Sequence, residues 1–339
     1  MNNFNEFKQF SETDIRPAQF DDEHKRVSIE DINMLQSRKN EFVKTNCPAC
    51  NLDDSEHEFL KNEFNYEKCN NCKTTYINPR PSPEILKWFY RNSKNYDFWN
   101  NVMYPASEES RRKNIILPRV NMTIDLCKKY DNEMNSLLEV GAGFGSFCSE
   151  IQSTKKFKRI VAIEPTPELA STCRKKNIET IESSIEDIDF STQKFDVIVN
   201  FEVIEHLFSP TEFLLQLKNV LNDGGLLILS CPNGMGFDIQ LLKEKSSAID
   251  HEHLNYFNPH SMSLLLRDCG YRVLDVFTPG KLDAELVRKK ILSGEFLLKD
   301  DDFIKQMLID HWNKLGNNFQ EFLVNQNMSS NMWAIAQKI

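Results

Sequence analysis

From about residue 134 the chain alternates short apolar runs with amphipathic stretches, a pattern that predicts parallel strands joined by helices packed on both faces of one sheet. Strands are expected at 136–140, 159–163, 178–181, 195–201, 225–231 and 271–277. A helix over 211–221 is expected to stop at Asn222-Asp223-Gly224-Gly225, a glycine signal placed before the next strand. After Pro279-Gly280 a mixed helical segment runs to about 326, and Met332 to Lys338 reads as a closing strand. The fold class expected is α/β, with a seven-stranded, mostly parallel sheet. The late strand turns the segment at about 281–326 into a helical insertion over one rim, a candidate lid, and in open α/β sheets ligands bind at the carboxyl rim.

The upstream third lacks this alternation. Residues 1–40 are polar, with scattered Phe4, Phe7, Phe10 and Phe20 and no core face, and read as a docking arm or a partly disordered one. Residues 41–80 hold two cysteine pairs and then Pro79, Pro81 and Pro83, which make a stiff connector. Ser82-Pro83-Glu84 caps a helical linker within 81–133, which carries Tyr90, Tyr96, Phe98, Trp99, Arg111 and Arg112. The sheet domain then occupies 134–339.

The cysteines sharpen the domain picture. Cys47-Pro48-Ala49-Cys50 and Cys69-Asn70-Asn71-Cys72 have zinc-ribbon spacing, with a knuckle at each pair and four thiolates for one tetrahedral ion. A redox pair or a knuckle without metal are the alternatives. A closed four-sulfur shell has no open position, so such a Zn2+ is structural, and His57 between the pairs is a substitute ligand at most. Cys127, Cys148, Cys173, Cys231 and Cys269 stand singly in apolar or helical surroundings and read as core thiols.

The chemistry centres on Leu137-Leu138-Glu139-Val140-Gly141-Ala142-Gly143-Phe144-Gly145, where an apolar strand turns into a helix. Glycines at such a turn accept positive φ and let backbone N–H groups approach a ligand. The second strand ends in Glu164, placed to bind the two hydroxyls of a ribose. A dinucleotide site calls for a third glycine where this chain has Ser146, and Glu139 has no task beside a pyrophosphate. S-adenosylmethionine (SAM) carries an α-ammonium that a carboxylate can hold, so Glu139 favours SAM over NAD.

Composition restricts the partners. The 339 residues are 40% hydrophobic and carry a formal charge of −9, which opposes long-range capture of nucleic acid and favours a small or neutral substrate. No apolar run is long enough to span a bilayer, and Met1-Asn2-Asn3-Phe4-Asn5-Glu6 lacks the apolar stretch of a signal peptide, so a cytoplasmic protein without membrane insertion is expected.

These residues resemble a class I SAM-dependent methyltransferase with its Rossmann-like fold. The resemblance rests on Glu139-x-Gly141-x-Gly143-x-Gly145, Glu164, Phe195-Asp196-Val197-Ile198 and Asn222-Asp223-Gly224-Gly225. The whole chain is similar to a bacterial subgroup with an N-terminal zinc ribbon, the connector Asn78-Pro79-Arg80-Pro81-Ser82, a His253-Leu254-Asn255-Tyr256-Phe257 segment and an ending like Ser329-Ser330-Asn331-Met332-Trp333. Such proteins are often linked to surface-glycan or secondary-metabolite pathways. The resemblance implies that Gly141, Gly143 and Gly145 line the methionine and ribose of SAM, with Glu139 near the ammonium and Glu164 on the ribose. It places Ser184, Ile185 and Glu186 at the adenine, although relatives most often have aspartate in place of Ser184. Asn200 and Phe201 would face the sulfonium, and Arg112 is a candidate for the SAM carboxylate.

Glu202, Glu205 and His206 share one face if the segment after strand four is helical. This resembles ubiquinone-pathway O-methyltransferases and small-RNA 3′-terminal methyltransferases, which hold a divalent ion with such a trio, so Mg2+ or another divalent cation is a candidate cofactor. His251 or His253 as a metal-free general base, and histidines that merely fix the loop, are the competing readings. Tyr96, Phe98 and Trp99 are either acceptor-pocket walls or core, and Arg288-Lys289-Lys290 reads as a solvated face. The expected function is methyl transfer from SAM to an oxygen of a small-molecule or sugar-linked acceptor. RNA methylation and a catalytically inactive SAM-binding interaction module are the alternatives, and the ribbon weakens the first because 47–72 holds only Lys61 and Lys68 as basic residues.

Overall fold

Two sheets organise the chain, and one of them draws on both halves of the sequence. In the computed structural model, which describes residues 11–184, 188, 193–298 and 302–339, the first long element is helix α1 (Asp21–Gln36). It buries Val27, Asp31 and Leu35, an i, i+4 stripe on one face. Strands β1 (Ser55–Lys61), β2 (Phe64–Cys69) and β3 (Thr75–Ile77) follow as an antiparallel ladder.

The linker forms α2 (Pro83–Asn92), α3 (Lys94–Phe98), α4 (Tyr104–Arg111) and α5 (Leu117–Lys129). Wider π turns at Trp99–Met103 and Arg112–Ile116 interrupt this run. Each precedes a proline, Pro105 or Pro118, whose missing N–H and ring bulk loosen the turn before it.

The main domain alternates β4 (Ser136–Val140), α6 (Ser146–Ser153), β5 (Arg159–Ile163), α7 (Pro167–Lys175), β6 (Glu179–Ile181) and β7 (Phe195–Phe201). It continues through α8 (Pro210–Val220), β8 (Leu221–Pro232), α9 (Phe237–Leu242), β9 (Asn255–Tyr256), α10 (Pro259–Asp268) and β10 (Tyr271–Phe277). Helices α11 (Asp283–Leu292), α12 (Asp302–Lys305) and α13 (Trp312–Asn325) precede the closing strand β11 (Asn331–Lys338).

The seven-stranded sheet has the order β10-β11-β8-β7-β4-β5-β6, with β11 antiparallel to both neighbours and the β8 to β6 portion parallel. The α/β architecture expected from the alternation is therefore present. Side chains alternate between two apolar layers, with Leu138, Val140 and Ile198 on one face and Leu137, Val197 and Val199 on the other. All seven residues of β7 are buried, as a central parallel strand requires.

The sequence expectation differs at β8, which starts at Leu221 rather than 225. Leu221 pairs with Phe195 while Leu226 pairs with Val197, so Asn222-Asp223-Gly224-Gly225 is a bulge inside the ladder. The second sheet has the order β1-β2-β3-β9, and β9 lies between β8 and β10 in sequence. No helix among the described residues is long and apolar enough to cross a membrane.

Candidate functional site

The turn from β4 into α6 lies at the carboxyl rim, where neighbouring strands β5 and β7 lead off to opposite sides. Gly141 sits at φ +79, and a Cβ there would meet Val203 Cγ2 at 2.5 Å. Gly145, at φ +65, would bring a Cβ to 2.8 Å from both Cys173 Sγ and Ile178 Cδ1. Gly143 differs: nothing stands within 4 Å of its Cβ direction, so it borders open space. Its N–H donates to Glu164 Oε2 at 2.7 Å, and the Thr166 N–H donates to Oε1 at 2.9 Å. Burial raises the pKa of this carboxyl, while the two amides act against that rise.

Glu139 and Asn200 end beside this turn on adjacent strands, Val140 pairing with Asn200. Glu139 is 4% exposed, and burial pushes its pKa up to about 7. Its Oε2 has no hydrogen-bond partner, nor has Asn200 Oδ1, while Asn200 Nδ2 donates to Val140 O at 3.0 Å. Buried polar atoms are almost always satisfied, so an orphan at the end of each of these adjacent strands, beside the glycine turn, marks a rim where a polar ligand belongs. Phe201 instead packs into the core, its ring 5.0 Å from Phe147 and 5.3 Å from Trp333. Ser184 is half-buried, whereas Ile185 and Glu186 lie outside the described residues.

Arg112 points elsewhere, pairing with Glu150 at 2.6 Å. The cation near Glu139 is Arg119, which lowers the pKa of that carboxyl, sits 4.8 Å over the Phe201 ring and pairs with Glu202 at 3.2 Å. Sequence reasoning missed it because it lies seven residues, about two turns, beyond the residue singled out.

The segment after β7 is not an α-helix. Glu202 takes φ +56, and only Ile204–His206 form a short 3-10 turn. Glu202 therefore leaves the face expected of it and binds Arg119, Ser230 Oγ and Asn331 Nδ2. Glu205 and His206 gather instead with His253, their ligand atoms all within 4.8 Å of one another. Glu205 is fully buried with both carboxylate oxygens unpartnered, and burial with the nearby Glu202 charge raises its pKa well above the ordinary range. His206 is pushed down to about 3 by burial, and its Nδ1 lies 3.0 Å from Glu252 O. A carbonyl only accepts, so Nδ1 carries the proton and Nε2 keeps its lone pair.

Beside this trio lies a second polar group that sequence reasoning only partly found. His251 is 5% exposed with Nε2 unpartnered, and its ring faces Phe64 and Phe89. Asp31 of α1 lies with His251 and Glu252, and its carboxylate caps α3 by accepting from Lys94 N–H and Asn95 N–H. Asn95 Nδ2 donates to Glu252 Oε1 at 2.6 Å, while Asn95 Oδ1 and Tyr90 Oη have no partner. Burial and Asp250 push Glu252 up to about 8. Tyr96 packs on Tyr90 at 5.3 Å, whereas Phe98 and Trp99 pack against His24 of the N-terminal arm. The i, i+4 burial of Asp31 in α1 was the one available signal: a charge placed on an apolar stripe.

Four sulfurs meet at the base of the second sheet. Cys47 Sγ lies 3.4 Å from Cys72 Sγ and Cys50 Sγ lies 3.5 Å from Cys69 Sγ, with all four within 4.8 Å of one another. None is in a disulfide, and the separations fit thiolates around one ion at about 2.3 Å. His57 is exposed on β1 with Nδ1 2.6 Å from Asn65 Oδ1, apart from the sulfurs. The five single cysteines are all buried.

Comparison with known proteins follows the same lines. Residues 112–276 match a family model described as a methyltransferase domain. The chain is 27% identical over 135 residues to the probable S-adenosylmethionine-dependent methyltransferase Rv3030 of Mycobacterium tuberculosis, covering 40% of this chain and 48% of that one. It is 29% identical over 121 residues to the ubiquinone biosynthesis O-methyltransferase of Rickettsia felis, covering 34% and 49%. With the C-methyltransferase NovU of Streptomyces niveus it shares 23% identity over 220 residues, covering 62% and 47%. The chain thus spans about half the length of these curated relatives. Among solved structures, the plantazolicin methyltransferase BpumL superposes with a TM-score of 0.49 at 14% identity, covering 75% of this chain and 93% of that one. With this sheet order and glycine turn, residues 112–276 form a methyltransferase domain of the SAM-dependent class I kind.

Proposed function

We propose that the protein transfers a methyl group from SAM to a hydroxyl oxygen of a small-molecule or sugar-linked acceptor. The observation that carries this is the pair of orphaned buried atoms, Glu139 Oε2 and Asn200 Oδ1, beside a glycine turn whose Gly143 N–H already orients Glu164. Glu139 would take the SAM ammonium, Arg119 its carboxylate and Glu164 the ribose hydroxyls, each with a lone pair or donor to spare. The cofactor supplies a methyl group on a good leaving group. The chain's part is then to hold the acceptor oxygen in line with the methyl–sulfur bond and exclude water.

The acceptor would lie against Tyr90, Asn95, His251 and the Glu205–His206–His253 trio, whose unpartnered atoms offer it both donors and acceptors. As the new carbon–oxygen bond forms, the hydroxyl proton passes to a neutral imidazole. Burial lowers the pKa of His251 and leaves it uncharged at neutral pH, able to accept at Nε2.

A second reading is favoured by the two bare oxygens of Glu205. With His206 Nε2 and His253 they fit a divalent cation, and a mixed nitrogen and oxygen set suits Mn2+ or Zn2+ at least as well as Mg2+. Such an ion, when bound, lowers the pKa of an acceptor hydroxyl. RNA is disfavoured by geometry as well as charge: Lys61 Nζ is spent on Ser246 O and Ile249 O, and Lys68 pairs with Glu58. Incubation with SAM and a panel of sugars and sugar nucleotides, with and without Mn2+, should yield S-adenosylhomocysteine. Failure to bind SAM by calorimetry refutes the proposal.

A further inference from the structure

Arg80 is the largest fully buried side chain among the described residues, and it is a cation without an anion. Its Nε donates to Ile77 O at 3.2 Å and its Nη1 to Phe208 O at 3.3 Å and Asn255 Oδ1 at 3.0 Å, while Nη2 has no partner. No carboxylate pairs with it among the described residues. Tyr76 and Phe208 flank the guanidinium, 5.6 Å and 5.9 Å from its carbon. An unpaired buried charge is strongly unfavourable, so a compensating negative charge is required close by. The cysteine cluster is the group placed to supply it: Tyr76, whose ring flanks the guanidinium, lies in the same core cluster as Cys47, Cys69 and Cys72. Four thiolates on a divalent ion leave that cluster net negative.

The other end of the guanidinium reaches the reaction site. Asn255, fully buried on β9, accepts from Arg80 and donates from Nδ2 to the carbonyls of Ile204 (3.4 Å), Glu205 (3.3 Å) and Leu207 (2.8 Å). Those carbonyls belong to the turn that presents Glu205 and His206. Strand β9 also pairs with β3, and Asn258 Nδ2 donates to Cys72 O at 2.9 Å.

We propose that Arg80 is the counter-ion of the Cys47-Cys50-Cys69-Cys72 metal cluster and, through Asn255, the positioning residue for the Glu205–His206 turn. The ribbon is then a buttress of the reaction site and not a separate docking module. The positioning half rests on the proposed role of that turn, but its test need not involve turnover.

The full-length protein is purified, its zinc counted, and hydrogen–deuterium exchange is followed before and after chelation. One equivalent of zinc is expected, and its removal should speed exchange across 203–208 and 253–258 while the 141–145 turn and SAM affinity hold. Arg80→Gln should weaken zinc binding by roughly tenfold or more in chelator competition, the range of second-shell changes at metal sites. Arg80→Lys keeps the charge and should retain zinc, yet it should open the turn because it loses the fork to Phe208 and Asn255. Asn255→Ala should retain zinc and open the turn as well, lowering kcat with KM for SAM unchanged. Should chelation or Arg80→Gln unfold the chain, Arg80→Lys and Asn255→Ala still report on the turn. Protein without zinc, Arg80→Gln with wild-type zinc affinity, or unchanged exchange at 203–208 in Asn255→Ala overturns the inference. Methyl transfer failing while these metal and exchange results hold would sink the proposed function alone.

Discussion

Replacing Glu139 by glutamine should stabilise the ligand-free protein above neutral pH while weakening its hold on SAM. Burial lifts the carboxyl from an ordinary 4.5 to about 7. At roughly 1.4 kcal/mol per pH unit, that gap is on the order of 3 kcal/mol. Its sign follows from proton binding. Below pH 4.5 folded and unfolded chains both keep the proton, and the position costs nothing. Between pH 4.5 and about 7 the unfolded chain releases its proton first, so stability falls as pH rises, and the loss is complete above about 7. Glutamine cannot ionise and removes this slope. Urea unfolding from pH 5 to 8.5 should therefore show a variant near wild type at pH 5 and more stable by about 1–3 kcal/mol at pH 8. Taking the difference cancels the contributions of Glu205 and Glu252, which both chains share. SAM calorimetry should show the opposite trend, with affinity lower by about 10- to 100-fold, the worth of a charge-assisted hydrogen bond. For wild type, SAM binding below pH 7 should release a proton and its heat should depend on the buffer. A variant less stable than wild type at pH 8, or one binding SAM unchanged, would refute the assignment of Glu139 as a desolvated carboxylate held for a cation.

Other positions give sharp contrasts. Arg119→Ala should raise the Kd for SAM by about tenfold or more, as expected for losing a charged hydrogen bond, whereas Arg112→Ala, whose guanidinium meets Glu150 near the surface, should leave it within about twofold. Glu205→Gln should stabilise the metal-free protein above neutral pH by relieving a bare buried carboxyl, and should lower turnover by about 10²-fold or more; equal turnover with and without Mn2+ in both proteins would remove the metal reading. Cys47→Ser should lose metal and destabilise the second sheet, seen as a shifted thermal midpoint and reduced zinc content, and a variant with full zinc would contradict the four-sulfur shell. Glu12→Ala, which breaks an exposed pair with Lys289 of α11, should change stability by less than about 1 kcal/mol.

What could be read from the sequence and what could not divides along the range of the interactions involved. Strands β4, β5, β7 and β10 and the glycine turn between β4 and α6 are visible because period, caps and positive-φ positions are local properties. Asn222-Asp223-Gly224-Gly225 has the local chemistry of a stop, but pairing of Leu221 with Phe195 draws it into β8 as a bulge, and pairing across a sheet is not local. Glu202 fails for the related reason that its spacing to Glu205 and His206 means proximity only on a helix. Its left-handed backbone turns the carboxylate toward Arg119 on α5 instead. His253 takes the vacant place in the trio through β9, which is held by β3 of the second sheet, and Asp31 reaches Glu252 from the first helix. In the proposed site most of the cofactor half is thus written in one stretch of chain, Glu139 to Glu164, with Arg119 and Asn200 added from α5 and β7, while the acceptor half is assembled from α1, α2, α3 and the loops around β9. A substitution in β9 can therefore disturb the proposed acceptor site without touching SAM, which is the separation of kcat from the KM for SAM that Asn255→Ala is designed to expose.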